Sequence, residues 1–494
     1  MAQRIKAFEE FPIYCWEAQY GGAVVSYVAA IIFHFGGSGF FQLHLTMFPV
    51  AVATLVLFYY VYRKMFNAME ALIGVFFLIF CPYFFLRHTM GAYGGYGETG
   101  LGVALIILIS WRIREELTSA RLPYLSFLLG AVSGFFFYIL FLVLPAVIAF
   151  AVPEVWRAHQ RRGATVLSHF CLGGVIGLLP MIIHSISSRG GIFLRAAGRS
   201  LSIGREAMQM TPAELAAEIF SAKILYFKTW LFSLPYMLGN FVLPEIFGKR
   251  VLETAGIFLA AAFIGFYYMV YKNKTSSDIN DKFRQFAVFL ALLFLFQWVA
   301  NLNRTRHLLP LLFIIPVVLL SFMKCRPHWK TALICLMVIT FGSQAYGVMQ
   351  QMNYSMWDPG PAVRIMKEIG TKEFYGSYWT TYPIMFVSQG ELIGSPSLLP
   401  YNEILSDRRP EDTKRIRASL RPAFVFAKNE KKIKADFQKY LTDQNITARS
   451  VNCPNATIFY DFSKIVHAVV ERKWETTFIS IEAKLTREER SNIL

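Results

Sequence analysis

Apolar residues stand along this chain in long blocks that short polar loops separate. A helix needs about 17 to 25 mainly apolar residues to cross a bilayer, whereas the strands of a membrane β-barrel alternate apolar and polar residues. The blocks therefore predict spanning helices. The candidates are 40–62, 68–86, 96–111, 123–152, 166–187, 251–271, 285–301, 307–323 and 331–348. A shorter block, from Ala23 to Phe35, predicts an interfacial helix or a half-span.

The block at 123–152 is the longest, and Gly134 and Pro145 interrupt it. It predicts a hairpin of two short helices, with one long tilted helix as the alternative. Lys and Arg gather in cytoplasmic loops, so the loop charges favour one topology. If the block is a hairpin, all five basic loops lie on the same side of the membrane; if it is a single helix, they do not. These loops contain Arg63, Arg112, Arg157, Lys272 and Lys324. The pattern therefore favours ten spans with both chain ends outside the cytoplasm.

After about residue 350 the charged residues return and the apolar runs shorten. Short strands at Phe374 to Tyr378 and Pro422 to Ala427 alternate with helical stretches, which is typical of a small α/β domain. The predicted class is an α-helical polytopic membrane protein, a bundle of about ten transmembrane helices with a small C-terminal α/β extracytoplasmic domain. The predicted domains are 1–349 (transmembrane, with outward loops at 1–39, 87–96 and 188–250), 350–463 (α/β) and 464–494 (charged tail).

Composition agrees with a membrane protein. Hydrophobic residues make up 55% of the 494 positions and charged residues only 16%, and the mean hydropathy is +0.43. Soluble domains carry about 25% charged residues, so a soluble enzyme is excluded. The net charge of +17 is explained by orientation in the membrane, and no nucleic-acid partner is expected. There is no P-loop and no GxGxxG after a strand, so ATP-driven transport is unsupported.

The outward loops contain groups that could act on a lipid-phosphate donor. Such an enzyme needs a carboxylate as base and cations for the phosphate. The candidate catalytic carboxylates are Glu98, Glu10 and Glu9. A solvated tail is the alternative for the last two, and a carboxylate that complements a helix dipole is the alternative for Glu98.

Cations for the donor phosphate are expected in two outward segments. The preferred candidates are Arg304 and Arg306, with Arg87 and His88 second. Two arginines in an outward turn oppose the positive-inside tendency, although snorkelling to lipid headgroups is the alternative. Tyr20, Tyr96 and Trp379 could line a substrate groove, and the interfacial aromatic belt is the preferred explanation for them.

Four stretches of the chain resemble one known family in their order and spacing. They are Phe11 to Tyr14 with Gln19 to Gly22 and Ser26 to Ala30, then Gly94 to Glu98, Arg304 to Pro310, and Tyr375 to Tyr382 with Phe386 to Ser388. The pattern resembles bacterial GT-C glycosyltransferases, the relatives of protein mannosyltransferases (family 39-like) and lipid A aminoarabinose transferases. The resemblance implies an inverting enzyme of the bacterial cytoplasmic membrane. It would move a sugar from a polyprenyl-phosphate donor to a lipid, glycan or protein acceptor at the outer face.

The resemblance also implies a catalytic acidic pair at the exit of the first transmembrane helix. Glu9 and Glu10 stand too close to Phe11 to be that pair. The pair and its helix are therefore expected upstream of Met1, and export of residues 1–39 with no helix before them points the same way. If this expectation is right, the chain as given lacks its catalytic base. The genomic DNA upstream of Met1 tests whether an in-frame helix that ends in Asp or Glu precedes it. Divalent metal use varies in the superfamily, and no cluster of ligands in the sequence settles it.

Two other classes of function compete with a transferase. One is a multi-pass transporter or flippase, and the other is a non-catalytic membrane scaffold. Against the transporter, no pair of Gly/Pro-interrupted helices stands in matching halves, and no buried carboxylate is expected in the middle of a span. Transfer of a labelled sugar separates the enzyme from both alternatives.

Overall fold

The computed structural model describes residues 1–15, 18–80, 83–91, 94–187, 263–268, 278–299, 309–325, 358–396 and 409–467, with a few isolated positions between them. The chain divides into two compact units, Met1–Asn353 and Tyr354–Leu494. Four predicted segments lie mostly outside the described residues: the spans at 251–271 and 331–348, the loop at 188–250 and the tail at 464–494.

The described part of the first unit is helical, apart from one small hairpin. Its strands β1 (Tyr14–Cys15) and β2 (Ala18–Gly22) are antiparallel. The helices up to the long apolar block are α1 Ala2–Lys6, α2 Val24–Gly36, α3 Phe40–Leu45, α4 Phe48–Arg63, α5 Ala68–Ile79, α6 Tyr83–Met90, α7 Tyr96–Glu115 and α8 Leu122–Ile139. After a 3₁₀ turn at Phe141–Val143 follow α9 Leu144–Ala146, a π-helical stretch Val147–Ala151, α10 Val152–Arg162, α11 Ala164–Gly177, α12 Leu179–Ser187, α13 Asp278–Val299 and α14 Leu311–Cys325.

Several of these helices are long and apolar enough to cross a membrane. Within the described residues there are four, Phe40–Arg63, Tyr96–Glu115, Leu122–Ile139 and Phe141–Arg162. The pair α11 and α12, bent by 54°, makes a fifth if it is one span. These helices fit a multi-pass membrane protein. The total of ten spans stays a prediction.

The long apolar block forms two helices, as the hairpin prediction requires. Leu140 has an extended backbone (φ −159°, ψ 124°) and separates α8 from the helical stretch that follows. That stretch continues to Arg162 instead of ending at 152. The apolar block ends before the helix does, because α10 is amphipathic and has charged residues on one side. The helical backbone nevertheless continues to Arg162.

The basic loops meet at one end of the helical bundle. Lys64 pairs with Glu115 at 2.5 Å, and the Lys282 ammonium donates to the Lys64 carbonyl at 3.4 Å. Arg162 donates to the Leu117 carbonyl at 3.3 Å. Four of the five predicted basic loops thus share one side, while the side chains of the fifth, at 324–330, lie outside the described residues.

Helices α8 and α11 pack unusually closely through glycines. A Cβ atom on Gly173 would collide with the carbonyl oxygen of Phe127, and one on Gly177 would collide with that of Ala131. From the other side, a Cβ on Gly130 would collide with the Phe170 carbonyl. Small residues four apart let two membrane helices approach backbone to backbone, so this contact fixes how α11 lies against α8.

A buried polar network ties three helices together near the basic end. The Trp111 Nε1–H donates to Gln285 Oε1 at 2.8 Å, and Gln285 Nε2 donates to Glu154 Oε1 at 2.7 Å. Glu154 is fully buried and pairs with Arg157 at 2.5 Å and with Arg114 at 3.8 Å. A carboxylate is therefore buried in the helix that continues the long apolar block, just beyond the expected span at 123–152 and near the basic end of the bundle. Glu154 is stable there because fixed cationic partners neutralise it.

Replacing Trp111 by Phe tests this network. The change keeps the aromatic packing but leaves the buried Gln285 oxygen without its donor, which costs about 1–3 kcal/mol. We expect a lower thermal unfolding midpoint for the purified protein in detergent. Trp156→Phe is the control, because Trp156 is 56% exposed. Equal midpoints for the two variants would contradict the network's role.

The second unit is a five-stranded sheet with helices on both faces. Its elements are α15 Gly360–Glu368, β3 Glu373–Gly376, α16 Tyr378–Val387, β4 Ile393–Ser395, α17 Pro410–Arg417, β5 Ala423–Ala427, α18 Lys431–Asp443, β6 Arg449–Cys453 and β7 Ala456–Tyr460. The strand order is β4-β3-β5-β7-β6. Strands β4, β3 and β5 are parallel, whereas β7 is antiparallel to both β5 and β6.

Neighbouring residues of one strand point to opposite faces of this sheet. Phe374 packs in a core with Met366 of α15 and Ile384 of α16. Tyr375 packs on the other face in a core with Ile416 of α17 and Phe437 of α18. Helices α15 and α16 therefore cover one face, and α17 and α18 cover the other.

Glu430, just after β5, gives this unit a predictable pH dependence. Burial raises the pKa of its carboxyl above the usual value, although hydrogen bonds from Ser377 and Thr380 oppose the shift. The folded state then holds the proton more tightly than the unfolded state, so stability falls as pH rises from the ordinary glutamate pKa through the folded one. Glu430→Gln should remove this slope.

Hydrogen exchange of the β5 amides, compared between wild type and Glu430→Gln at each pH from about 4 to 8, measures this difference. The two proteins should match at the acidic end, and the variant should become relatively better protected as pH rises. Glu391→Gln, at a side chain that is 64% exposed, is the control. If the ratio of the β5 amide exchange rates in wild type and in Glu430→Gln does not change with pH, the prediction is contradicted.

Candidate functional site

Helix α7 begins at a glycine turn that lies against the end of α8. Gly94 and Gly95 have φ angles of 66° and 87°, which favour glycine. A Cβ atom on Gly95 would lie 3.0 Å from the Ile139 carbonyl oxygen and 3.0 Å from Leu140 Cβ. Another on Gly97 would lie 2.6 Å from the Thr89 carbonyl. These glycines let the first turn of α7 enter a crowded position.

Glu98 lies in this first turn and is the best-defined candidate of the site. Its side chain is 4% exposed, and its carboxylate has no side-chain hydrogen-bond partner among the described residues, although the backbone amides of Gly95 and Glu98 lie close enough to interact with it. Helical spacing puts it on the face shared by Gly95 and Gly102. That face packs against Ile139, Leu140 and Phe136, so the carboxylate lies in apolar surroundings at the end of α8. The positive end of the α7 dipole favours a negative charge here.

The N-terminal hairpin packs over the same glycine turn. A Cβ atom on Gly94 would lie 3.3 Å from Cys15 Sγ, and one on Gly21 would lie 3.8 Å from the Gly94 carbonyl. The Tyr138 hydroxyl of α8 donates to the Ile13 carbonyl. These contacts bring the hairpin that follows Phe11 to the start of α7.

Aromatic rings fill the space beside this hairpin. Tyr14 packs edge-on against Tyr138, with ring centroids 5.4 Å apart, and against His184 of α12 at 5.0 Å. Burial, with a smaller contribution from Tyr138, raises the pKa of the Tyr14 phenol, so it stays protonated. Tyr138 and His184 are residues that the sequence did not indicate, because each is one polar group within an apolar block.

Two more predicted residues lie with Glu98. Tyr96 is 5% exposed, and its ring packs edge-on against His88 of α6 at 5.8 Å. The strand that contains Tyr20 runs beside Gly94, although the Tyr20 side chain is outside the described part. The structure thus brings Glu98, Tyr96 and His88 to one end of the bundle.

The other predicted residues are elsewhere or undescribed. Glu9 pairs with Arg4 at 2.9 Å, and Glu10 also pairs with Arg4, so both belong to a local ion cluster. Trp379 lies in the second unit and is 66% exposed. Arg304, Arg306 and the Arg87 side chain lie outside the described residues.

A carboxylate that forms no hydrogen bond or ion pair with a neighbouring side chain can accept a proton from a bound hydroxyl group. Water is largely excluded around Glu98, which strengthens any such interaction. Among the residues that the structure describes, no group of three or more His, Cys, Asp or Glu side chains could hold a metal ion. A carboxylate in this position has the chemistry to orient a bound hydroxyl group or to take up its proton.

Comparison with known proteins finds similarity in solved structures alone. No protein-family profile matches the chain, and no curated protein matches it significantly. The crystal structure of ArnT from Cupriavidus metallidurans bound to undecaprenyl phosphate is 14% identical, with a TM-score of 0.43 over 94% of this chain and 93% of that chain. The apo structure of the same protein is also 14% identical, with a TM-score of 0.40 over 93% and 91% of the two chains.

Proposed function

We propose that this chain is an inverting GT-C-type glycosyltransferase of the bacterial cytoplasmic membrane. It takes a sugar from a polyprenyl-phosphate donor and places it on a lipid, glycan or protein acceptor at the outer face. The observation that carries the proposal is the buried Glu98 carboxylate, which no described side chain neutralises, at one end of a membrane helix bundle.

Sidedness supports an outer-face reaction. Helix α7 has 20 residues, about 30 Å at 1.5 Å per residue. Glu98 lies in its first turn, while Arg112 and Arg114 lie in its last turn, among the basic loops. If those loops are cytoplasmic, as the positive-inside rule predicts, Glu98 lies at the outer side of the membrane.

The proposed reaction needs one base and several cations. The acceptor hydroxyl oxygen attacks the anomeric carbon of the donor sugar, the bond from that carbon to the phosphate oxygen breaks, and the configuration inverts. Glu98 orients the acceptor hydroxyl and takes up its proton. Arg304 and Arg306, with Arg87 and His88, hold the phosphate and offset its charge as it leaves. Tyr20 and Tyr96 are the aromatic candidates for the substrate groove in this unit.

A transporter is the weaker candidate because the second buried carboxylate is already neutralised. Glu154 pairs with Arg157 and Arg114 and accepts a hydrogen bond from Gln285. A transported cation would have to displace these fixed partners. Glu98, by contrast, is in no ion pair among the described residues, so a substrate hydroxyl would not have to displace a cation from it.

Transfer of a radiolabelled sugar tests the function. The full chain in lipid nanodiscs is mixed with polyprenyl-phosphate-linked sugars and a membrane extract as acceptor, and new labelled products are separated. A new glycosidic product confirms the transferase. Movement of donor across vesicle membranes without a new product would support the flippase, and neither result would support the scaffold. An Arg304→Ala/Arg306→Ala variant that kept full transfer would overturn the phosphate assignment.

A further inference from the structure

The strand order of the sheet in the second unit reverses between two parallel strands, β3 and β5. From β3 the chain passes through α16 on one face to β4, on one side of β3. From β4 it returns through α17 on the opposite face to β5, on the other side of β3. In open α/β sheets, ligands bind outside the carboxyl ends of the strands at such a reversal. The relevant crevice lies between the ends of β3 and β5.

Buried hydroxyl groups collect at this carboxyl edge. The hydroxyl of Ser395, the last residue of β4, lies 2.8 Å from the Thr413 hydroxyl, and Thr381 Oγ1 donates to the Ser395 carbonyl at 3.3 Å. The Thr380 side chain is 1% exposed. Burying such groups costs little when they bond to one another, so this edge is a polar surface that the fold keeps ordered.

The crevice itself combines two hydroxyls, a carboxylate and an exposed indole. Ser377, at the end of β3, lies 2.9 Å from Thr380, hydroxyl to hydroxyl. Glu430, after β5, accepts a hydrogen bond from the Ala427 amide at 2.7 Å and lies beside both hydroxyls. Trp379 is in the same helical turn and is 66% exposed. An indole with so much of its surface in solvent is a ready stacking surface.

We propose that this crevice binds an uncharged sugar ring. The Trp379 indole packs against the apolar face of the ring, while the half-buried Glu430 and Ser377 accept and donate hydrogen bonds to ring hydroxyls and the buried Thr380 holds both in place. A phosphate is the usual ligand at such a reversal, but here the Glu430 carboxylate already lies at the start of α16 and would repel it. The site requires binding alone, so it stands whether or not the chain is a transferase.

Saturation-transfer NMR on the full chain in nanodiscs tests the site. The probes are maltotriose and chitotriose, with glucose 6-phosphate as the charged comparison. We expect signal from at least one neutral oligosaccharide and weaker signal from the phosphate. Trp379→Ala and Glu430→Gln should each weaken that binding about tenfold, the size expected for losing one charge-assisted or stacking contact.

Leu420→Ala is the matched control, because Leu420 is 72% exposed on the same unit and should not change sugar binding. Absence of neutral-sugar binding to wild type would overturn the proposal, as would unchanged binding in Trp379→Ala or stronger binding of glucose 6-phosphate. If Trp379→Ala reduced association of the protein with lipid vesicles and left sugar binding intact, Trp379 would be a membrane anchor and the site would be wrong.

Discussion

Glu98→Gln is expected to lower the rate of sugar transfer by two to four orders of magnitude while the protein stays folded. Gln has the same shape but cannot accept a proton, and a general base contributes about 10²–10⁴ to the rate. No neighbouring side chain loses a partner, because Glu98 has none among the described residues. We therefore expect an unfolding midpoint equal to or above that of the wild type, since a buried carboxylate has been replaced by a neutral amide.

The measurement is the initial rate of labelled-product formation in nanodiscs at several donor concentrations. A lower maximal rate with an unchanged donor KM would agree with a role for Glu98 on the acceptor side. Glu115→Gln is the control, because Glu115 is at the other end of α7 and pairs with Lys64 on the surface. It should transfer sugar normally. Full activity in Glu98→Gln would remove Glu98 from the reaction, even if the wild type proves to be a transferase.

The start of α7 shows how much of the site the sequence could predict. The glycine run before Glu98 and the apolar block after it predict a helix from 96, and the helix begins at Tyr96. The carboxylate at its first turn could be identified as well. Its burial could not, because the glycine turn before it packs against Leu140 and the N-terminal hairpin, which lie far away in the sequence.

Glu154 shows the corresponding limit for the membrane bundle. A hydropathy pattern treats each residue by itself, so a glutamate beside arginines marks the end of a span. In the structure the helix continues, and Glu154 is buried because Gln285, 131 positions away, donates to it. Local composition predicts which segments are apolar, whereas the pairing of charges depends on tertiary neighbours.

In the second unit, some strands could be predicted from the sequence, but the order of the strands in the sheet could not. The apolar run at 422–427 predicts β5, which spans Ala423–Ala427. Strand β4 escaped prediction because it has three residues and includes Gly394, too little for a period-two pattern. Without β4 the reversal between β3 and β5 is invisible, and so is the crevice that contains Glu430.

Gly173→Ala is expected to destabilise the membrane unit severely, although it adds one methyl group. The new Cβ would collide with the Phe127 carbonyl oxygen and lie 2.9 Å from the Ala131 amide nitrogen, both backbone atoms of α8. Backbone cannot rotate away as a side chain can, so the two helices must separate. Overpacking in a dense interior costs about 1–3 kcal/mol and sometimes more, and here separation also weakens every neighbouring contact along the helix pair.

Gly174→Ala is the matched control, one position along the same helix. Its Cβ would have the Gly130 carbonyl oxygen as nearest neighbour, at 3.9 Å, so it fits without displacement. Alanine favours a helix over glycine by about 0.5–1 kcal/mol, so this variant should match or exceed wild-type stability. Size-exclusion profiles and unfolding midpoints in detergent measure both. Equal stability of the two alanine variants would show that α8 and α11 are not in backbone contact, because only that contact distinguishes positions 173 and 174.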